Sequence, residues 1–236
     1  MGLDPRKRQK KLERRALKQK EQKKALAKRD PRDVAVRLER SITAPILHTC
    51  GTRALWDQGI GYVLVSRELA SGSVAFVMFL VDMYCLGVKD ALYKIASRTE
   101  YDRDVYHKAF SAGDRVPLRP ACARKLVEGA VEYARDLGIA PHRDYQKAQV
   151  IFGDIDTSVC SEEFEYGREG KPFFIAGPYD SPARCRQIAQ LLVDRCGLGG
   201  ADYLVPVARD SILDTLFLEG GEEVGGEEES DDQFEE

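Results

Sequence analysis

Apolar residues are most concentrated between residues 60 and 83, in two runs separated by the short stretch 70–73 (Ala-Ser-Gly-Ser). The runs 60–69 and 74–83 are rich in β-branched and aromatic residues, which predicts two strands joined as a hairpin. Every residue from Val74 to Val81 is apolar, so both faces of this strand are hydrophobic. We therefore expect residues 74–82 to form a central strand covered on two sides, by helices or by a helix layer and a partner.

Two later segments have the apolar spacing of amphipathic helices. After Pro120, apolar residues recur every three or four positions up to a glycine suited to a left-handed C-terminal cap: Leu126, Val127, Ala130, Ala134, Leu137 and Gly138. A second stripe follows Asp180-Ser181-Pro182, which offers an N-cap residue and a proline for the first turn: Cys185, Ile188, Ala189, Leu192 and Cys196. Gly197 ends this second helix.

The remaining segments have shorter patterns. Val88, Leu92 and either Ile95 or Ala96 have helical spacing, which predicts a helix over 88–96. Further elements are expected as helices over 33–41 and 99–110, strands over 148–152, 172–176 and 203–207, and an irregular segment over 43–59. The last two strands, with the helix between them, form a candidate crossover unit.

This order of elements indicates an α/β (or α+β) domain with a single mixed sheet built around the strand 74–82. Charge divides the chain into a basic arm (1–30), a globular domain (31–218) and an acidic tail (219–236). Residues 1–29 hold 13 Lys and Arg against three acids, a net charge of +10, whereas the tail holds 10 acids and no base. The overall net charge of −3 averages these opposed ends. We expect both ends to be disordered, and the arm to become helical when a polyanion neutralises it.

Cysteine usage and hydropathy bear on the compartment. The six cysteines include no Cys-x-x-Cys pair, and we see no secretory leader, so small buried thiols are expected rather than disulfides. The longest apolar run has eight residues, well below the roughly 20 that a membrane-spanning helix needs. These features favour a cytoplasmic protein without a membrane span, or a nuclear one if the source is eukaryotic, since residues 6–11 resemble a nuclear address.

The basic arm is the strongest functional signal. Flexible segments with this density of cations bind polyanions through counterion release, with little sequence preference. We expect nucleic acid, RNA or the ribosome in particular, as the ligand; the alternative is a merely solubilising extension. The acidic tail is expected to engage a basic protein partner or to fold back on the arm. The expected nucleic-acid contacts are the basic residues of the arm: Arg6, Lys7, Arg8, Lys10, Lys11, Arg14, Arg15, Lys18, Lys20, Lys23, Lys24, Lys28 and Arg29.

Carboxylates near predicted strand ends suggest an enzymatic alternative. Asp82 ends the central strand, Asp154 and Asp156 follow the strand 148–152, and Asp180 precedes the long helix. Carboxylates gathered at strand ends can hold a divalent metal ion for phosphodiester hydrolysis. The catalytic candidates of such a nuclease are Asp82, Asp154 and Asp156. Aspartate is also common at strand ends and helix caps, and no cofactor motif accompanies these residues, so a non-enzymatic protein is the leading hypothesis.

Two further groups carry weaker signals. His48 and Cys50 could bind zinc, but two ligands are too few for a structural zinc site, which needs four. Cys85 could act as a nucleophile assisted by His48 or His107, although a buried, inert thiol is the commoner state of such a cysteine.

The segment 177–182, with Arg184 or Arg186, could hold a phosphate at a helix N-terminus. It lacks a Gly-rich or Walker-type fingerprint, so a capped helix is the simpler interpretation. A third functional class, a protein-binding adaptor, would be indicated by an exposed apolar patch on the domain.

Overall fold

The computed structural model describes residues 36, 38–39, 41–177 and 180–205. The basic arm, the acidic tail and most of the helix expected over 33–41 lie outside these residues. The described chain has the expected α/β class, with five α-helices and seven strands. Within that part of the chain, no helix combines the length and the apolar character needed to cross a membrane.

The strands form two sheets rather than the single mixed sheet expected from the sequence, and the main sheet has five antiparallel strands. They are β1 (Ile46–Thr52), β2 (Ile60–Glu68), β3 (Ser73–Asp82), β4 (Gly87–Ser97) and β5 (Arg115–Pro117), in the order β4-β3-β2-β1-β5. β2 and β3 form the predicted hairpin, in which Val65 lies opposite Val77. β3 is paired on both edges, as its continuous apolar character predicted.

Helices pack against this sheet. α1 (Ala54–Gln58) joins β1 to β2, and α2 (Arg98–Glu100) follows β4 and continues into a π-helical turn (Tyr101–Tyr106). The main helix layer consists of α3 (Pro120–Asp136) and α4 (Tyr145–Ala148), which continues into a 3₁₀ turn (Gln149–Phe152). α3 has the predicted bounds because its apolar stripe faces the sheet and Gly138 adopts a left-handed φ of +81°.

The two faces of β3 contact different parts of the core. Phe79 points to the helix layer and stacks on Phe152, with 5.4 Å between ring centroids. Phe76 points to the opposite face, where the π-helical turn supplies Tyr101 and the following segment supplies Phe110, both fully buried. The expectation that both sides of the central strand are covered is therefore confirmed.

A smaller unit follows at the C-terminal end of the described chain. β6 (Phe173–Ile175), α5 (Pro182–Cys196) and β7 (Asp202–Leu204) form the predicted crossover, since β6 and β7 pair in parallel. The apolar stripe of α5 is buried, and Ile188 and Leu192 pack with Leu86, Leu137 and Phe174. This second, two-stranded sheet is therefore joined to the main domain by a shared hydrophobic cluster.

The helix predicted over 88–96 is wrong, because this segment is the strand β4. Val81 of β3 pairs with Val88, and the preceding residue, Leu80, pairs with Asp90. Lys89 therefore has no partner in β3 and is the extra residue of a β-bulge. The bulge places Val88 and Ala91 on the same buried face. The residues whose spacing predicted the helix do not share a buried face in the strand, since Val88 is buried whereas Leu92 is 41 % exposed.

Two other segments also differ from expectation. The strand predicted over 148–152 is the end of α4 and its 3₁₀ turn, in which the adjacent residues Ile151 and Phe152 are both buried. A short apolar run does not separate strand from helix without a clear period. The segment 43–59, expected to be irregular, contains β1 and α1. β1 escaped recognition because its first four residues are only partly buried and two of them are polar.

The cysteines are only partly as expected. Cys50, Cys85 and Cys185 are buried free thiols, but Cys122 and Cys160 form a disulfide with 5.2 Å between their Cα atoms. The expectation that all six would be free is therefore wrong. Their separation of 38 residues gave no local spacing signal, because α3 and the later loop meet only in the folded chain.

Candidate anion-binding cleft

The basic residues expected to contact nucleic acid, from Arg6 to Arg29, lie outside the described residues. Their role in binding stays a prediction. The folded domain was expected to supply three other groups of side chains, namely the carboxylates, the His-Cys pairs and the segment 177–182.

The three carboxylates of the nuclease hypothesis are not gathered into a metal site. Asp82 is buried, and its Oδ1 accepts two backbone N–H groups of the following turn, each at 3.0 Å. Asp154 and Asp156 are exposed, and Asp156 caps a 3₁₀ turn by accepting the backbone N–H of Ser158 at 2.9 Å. Among the described residues, no group of three or more His, Cys, Asp or Glu could hold a metal ion.

The histidines and Cys85 are not brought together as a nucleophile and its base. The ring of His48 stacks on Tyr106 with 3.7 Å between centroids, and its Nδ1 lies 3.0 Å from the hydroxyl of Tyr101. Burial lowers the pKa of His48. Cys85 belongs to a different cluster, between α3 and α5, where burial raises the pKa of its thiol far above the ordinary value. His107 is exposed. Cys85 is therefore an inert core thiol.

The segment before α5 differs from its expected geometry. Ser181, rather than Asp180, caps the helix, since the Ser181 hydroxyl oxygen accepts the backbone N–H of Arg184 at 3.2 Å. Asp180 turns back toward β4: its Oδ2 accepts the backbone N–H of Gly177 at 2.7 Å and lies 3.8 Å from Nζ of Lys89. The carboxylate therefore forms one wall of a cavity rather than a helix cap.

Two adjoining cavities surround the loop that connects α3 to α4. The smaller, of about 230 Å³, lies between the start of β4, this loop and α5, and its polar lining residues are Lys89, His142, Asp180 and Arg184. The larger, of about 450 Å³, is lined by the same loop and by Arg135, Arg143 and Gln146. Both cavities share Ile139, Ala140 and His142. We call the two together the 139–142 cleft.

The β4 bulge positions the smaller cavity. Lys89 is the extra residue of the bulge, and a bulge turns its side chain out of the regular alternation of the strand. The backbone N–H of His142 donates to the carbonyl of Val88 at 2.9 Å and so ties the loop to the bulge. The Nδ1 of His142 lies 3.7 Å from Asp90 Oδ1. Lys89 and His142 thus face one space because of backbone pairing.

The charge of the cleft is mainly positive. Lys89, Arg135, Arg143 and Arg184 line it, against the single acid Asp180. The three arginines are exposed and form no ion pair with a carboxylate within the described chain. Elsewhere among the described residues, four arginines have such partners (Arg98, Arg103, Arg119 and Arg124) and six do not. Arginines without a carboxylate partner keep donors of their guanidinium group available for an anion.

Sequence reasoning named only part of this cleft. The sequence points to Arg184 beside a helix N-terminus, but Lys89 falls within the predicted helix 88–96, which does not form. Arg135 lies in the last turn of α3 and Arg143 in the connecting loop, and neither belongs to a recognisable motif. The only local signal was the glycine at position 138, which ends α3 and allows the chain to turn into the loop.

Comparison with known proteins adds no further assignment: no protein-family model matches the chain, and no curated protein and no solved structure is similar enough to count as a match.

Proposed function

We propose that this protein binds RNA without catalysing a reaction, with the basic arm supplying most of the affinity and the 139–142 cleft receiving part of the bound strand. The observation that carries the proposal is the net charge of +10 in residues 1–29. A polyanion that neutralises these residues releases its condensed counterions, and this release favours binding at moderate salt.

The cleft supports a contact on the folded domain as well. Its four basic side chains and single acid make it an attractive surface for phosphate groups. A cavity, unlike a flat surface, accepts a nucleotide or a chain end that is splayed from the strand. Single-stranded RNA presents such groups more readily than duplex DNA does, which is the reason for proposing RNA.

Deletion of residues 1–29 tests the proposal. The affinity for a single-stranded RNA should be measured by fluorescence anisotropy at several salt concentrations for the full chain and for the deletion variant. The full chain should show a steep loss of affinity with salt, since each neutralised phosphate of a single strand contributes about 0.7 to the logarithmic slope. The deletion variant should bind more weakly and with a shallower slope.

A matched control keeps the charge of the arm and changes the order of its residues. A chain whose residues 1–29 are scrambled should bind as the parent does, because counterion release depends on charge and not on sequence. Unchanged affinity after the deletion, or a flat salt dependence of the full chain, would contradict the proposal. Co-purification with and without nuclease treatment then reports whether the natural partners are nucleic acids or proteins.

The acidic tail offers a second observable. Residues 219–236 carry 10 acids and no base, and they would compete with RNA for the arm if they fold back on it. Removing the tail should then tighten RNA binding at low salt and have less effect at high salt, where the attraction is screened. Equal affinities with and without the tail would assign it to another role.

A further inference from the structure

We infer that the smaller cavity of the 139–142 cleft binds a phosphate monoester, the group found at the end of an RNA chain and on a free mononucleotide. The inference depends on the proposed function in one respect only, namely that an RNA chain is the source of the phosphate group. The cavity and its charges are properties of the folded domain and are independent of the arm.

The size and shape of the cavity favour a small terminal group. Its volume of about 230 Å³ is below the roughly 300–1,000 Å³ of sites that enclose drug-sized ligands. Its lining comes from three segments, namely the β4 bulge, the loop of His142 and the first turns of α5. A phosphate inside a continuous RNA strand is joined to nucleotides on both sides, and both would have to leave the cavity. A terminal phosphate is joined to the chain on one side only.

The apolar part of the lining suits a ligand that carries an organic group. Leu86, Val88, Ile139 and Ile188 belong to the same cavity. They lower the local dielectric around Lys89, whose side chain is 17 % exposed, and so strengthen its ion pair with a bound anion relative to one at the open surface. They also provide contact area for the ribose to which the phosphate is attached.

Lys89 is the central cation of this site. Its side chain is only 17 % exposed, and its ion pair with Asp180 is long, at 3.8 Å. Within the described chain, its Nζ makes no ion pair other than this one and no hydrogen bond. Because a lysine ammonium has three donors, Lys89 keeps donors for an incoming oxygen.

The charge state of the ligand distinguishes a monoester from a diester. A phosphate monoester carries a charge between about −1.5 and −2 at neutral pH, whereas a diester carries one negative charge. Lys89 and Arg184 supply two positive charges to the lining, and the nearby carboxylates of Asp180, Asp82 and Asp90 oppose them in part. The additional negative charge of the monoester therefore increases its attraction to both cations, and the site should prefer chain ends to internal phosphates.

The experiment compares two RNA oligonucleotides of identical sequence, one with a 5′-phosphate and one with a 5′-hydroxyl, bound to the full chain at the same salt concentration. We expect the phosphorylated oligonucleotide to bind about tenfold more tightly, the effect of one hydrogen-bonded charge pair. Titration with a nucleoside 5′-monophosphate and with inorganic phosphate, followed by NMR shifts of His142 and its neighbours, shows whether a free nucleotide is an equally good source of the group.

Two variants on α5 form a matched pair. Arg184 lines the cavity, whereas Arg186 is exposed on the same helix and does not line it. Arg184→Ala should reduce the preference for the 5′-phosphate toward onefold, and Arg186→Ala should leave it unchanged. Both variants remove one positive charge from an exposed position on the same helix, so a general electrostatic effect would change the binding of both equally.

Asp180→Asn should strengthen binding, which a merely structural role of Asp180 would not produce. The amide oxygen of asparagine can still accept the N–H of Gly177, while the negative charge that opposes the ligand is removed. We expect the affinity for the 5′-phosphorylated oligonucleotide to rise several-fold, with a smaller rise for the 5′-hydroxyl form.

Equal binding of the two oligonucleotides, or an equal loss of preference in Arg184→Ala and Arg186→Ala, would overturn the inference. So would binding of inorganic phosphate with no detectable binding of the nucleotide. Deletion of residues 1–29 separates this result from the proposed function. If the arm contributes nothing to RNA affinity, the proposed function fails, and the mononucleotide titration of the same deletion variant still decides whether the cavity binds a monoester.

Discussion

Asp82 is a carboxylic acid that is only 3 % exposed at the end of β3, and its replacement by asparagine is expected to remove a loss of stability that the parent protein undergoes as the pH rises. Burial raises the pKa of Asp82 from its ordinary 3.8 to about 6, although Lys89 and backbone N–H groups lower it in part. An asparagine at this position would be neutral at every pH. Its amide oxygen could keep the two backbone hydrogen bonds that Oδ1 of Asp82 accepts.

The sign and the size of the effect follow from proton linkage. Between pH 3.8 and about 6, the folded protein retains a proton on Asp82 that the unfolded chain has released. The free energy of unfolding therefore falls as the pH rises through this window and is then constant above it. At about 1.4 kcal/mol for each pKa unit, the full loss is about 3 kcal/mol, of which about 2 kcal/mol falls between pH 4 and pH 7.

Urea unfolding at pH 4, 5, 6 and 7, followed by circular dichroism, measures this effect. Other acids titrate in the same range, so the relevant quantity is the difference in unfolding free energy between Asp82→Asn and the parent. This difference should become more favourable to the variant by about 2 kcal/mol from pH 4 to pH 7.

Asp154→Asn is the matched control, since Asp154 is exposed. The comparison separates the effect of burial from that of removing one negative charge. A pH-independent difference for Asp82→Asn, or one that favours the parent more as the pH rises, would refute the assignment of Asp82 as a desolvated acid.

Two further predictions concern the stability of the core. Tyr101→Phe removes a buried hydroxyl that lies 2.8 Å from the Ser66 hydroxyl and 3.0 Å from His48 Nδ1, and it should cost about 1–3 kcal/mol in urea unfolding, because two polar groups lose their partner. A Phe76→Leu variant on the same face tests whether loss of packing alone gives the same cost. Reduction of the Cys122–Cys160 disulfide opens a loop of 38 residues and should lower the unfolding free energy by about 4 kcal/mol. The Cys122→Ala/Cys160→Ala double variant is the control and should melt at the same temperature with and without a dithiol reductant. If the reductant does not lower the melting temperature of the parent protein either, the disulfide contributes little to stability.

The elements that could be predicted from the sequence are those with a regular period and clear ends. The β2-β3 hairpin has two apolar runs around a glycine turn, and α3 and α5 each have an apolar stripe between a proline and a glycine. The parallel pairing of β6 with β7 followed from the order strand, helix, strand. In each case, residues close in sequence carry the information, and the tertiary structure agrees with it.

The features that could not be predicted depend on contacts between distant segments. The Cys122–Cys160 pair joins the start of α3 to a loop 38 residues later. The 139–142 cleft unites the start of β4, the α3–α4 loop and α5, and none of these segments has a recognisable binding motif. Similarly, Asp82 looks like a metal ligand by its position at a strand end, but only the fold reveals that it is buried and hydrogen-bonded to its own turn.

The bulge at Lys89 makes the side chain that faces the cavity independent of the strand pairing. Val81 pairs with Val88 and Leu80 with Asp90, so the pairing on either side would be kept if position 89 were lost or changed. A chain that lacked this residue would have an uninterrupted strand with every buried side chain in place, and its cavity would lack the lysine. Deletion or replacement at this one position would therefore change the charge of the cavity without changing the residues that β4 buries against the helix layer.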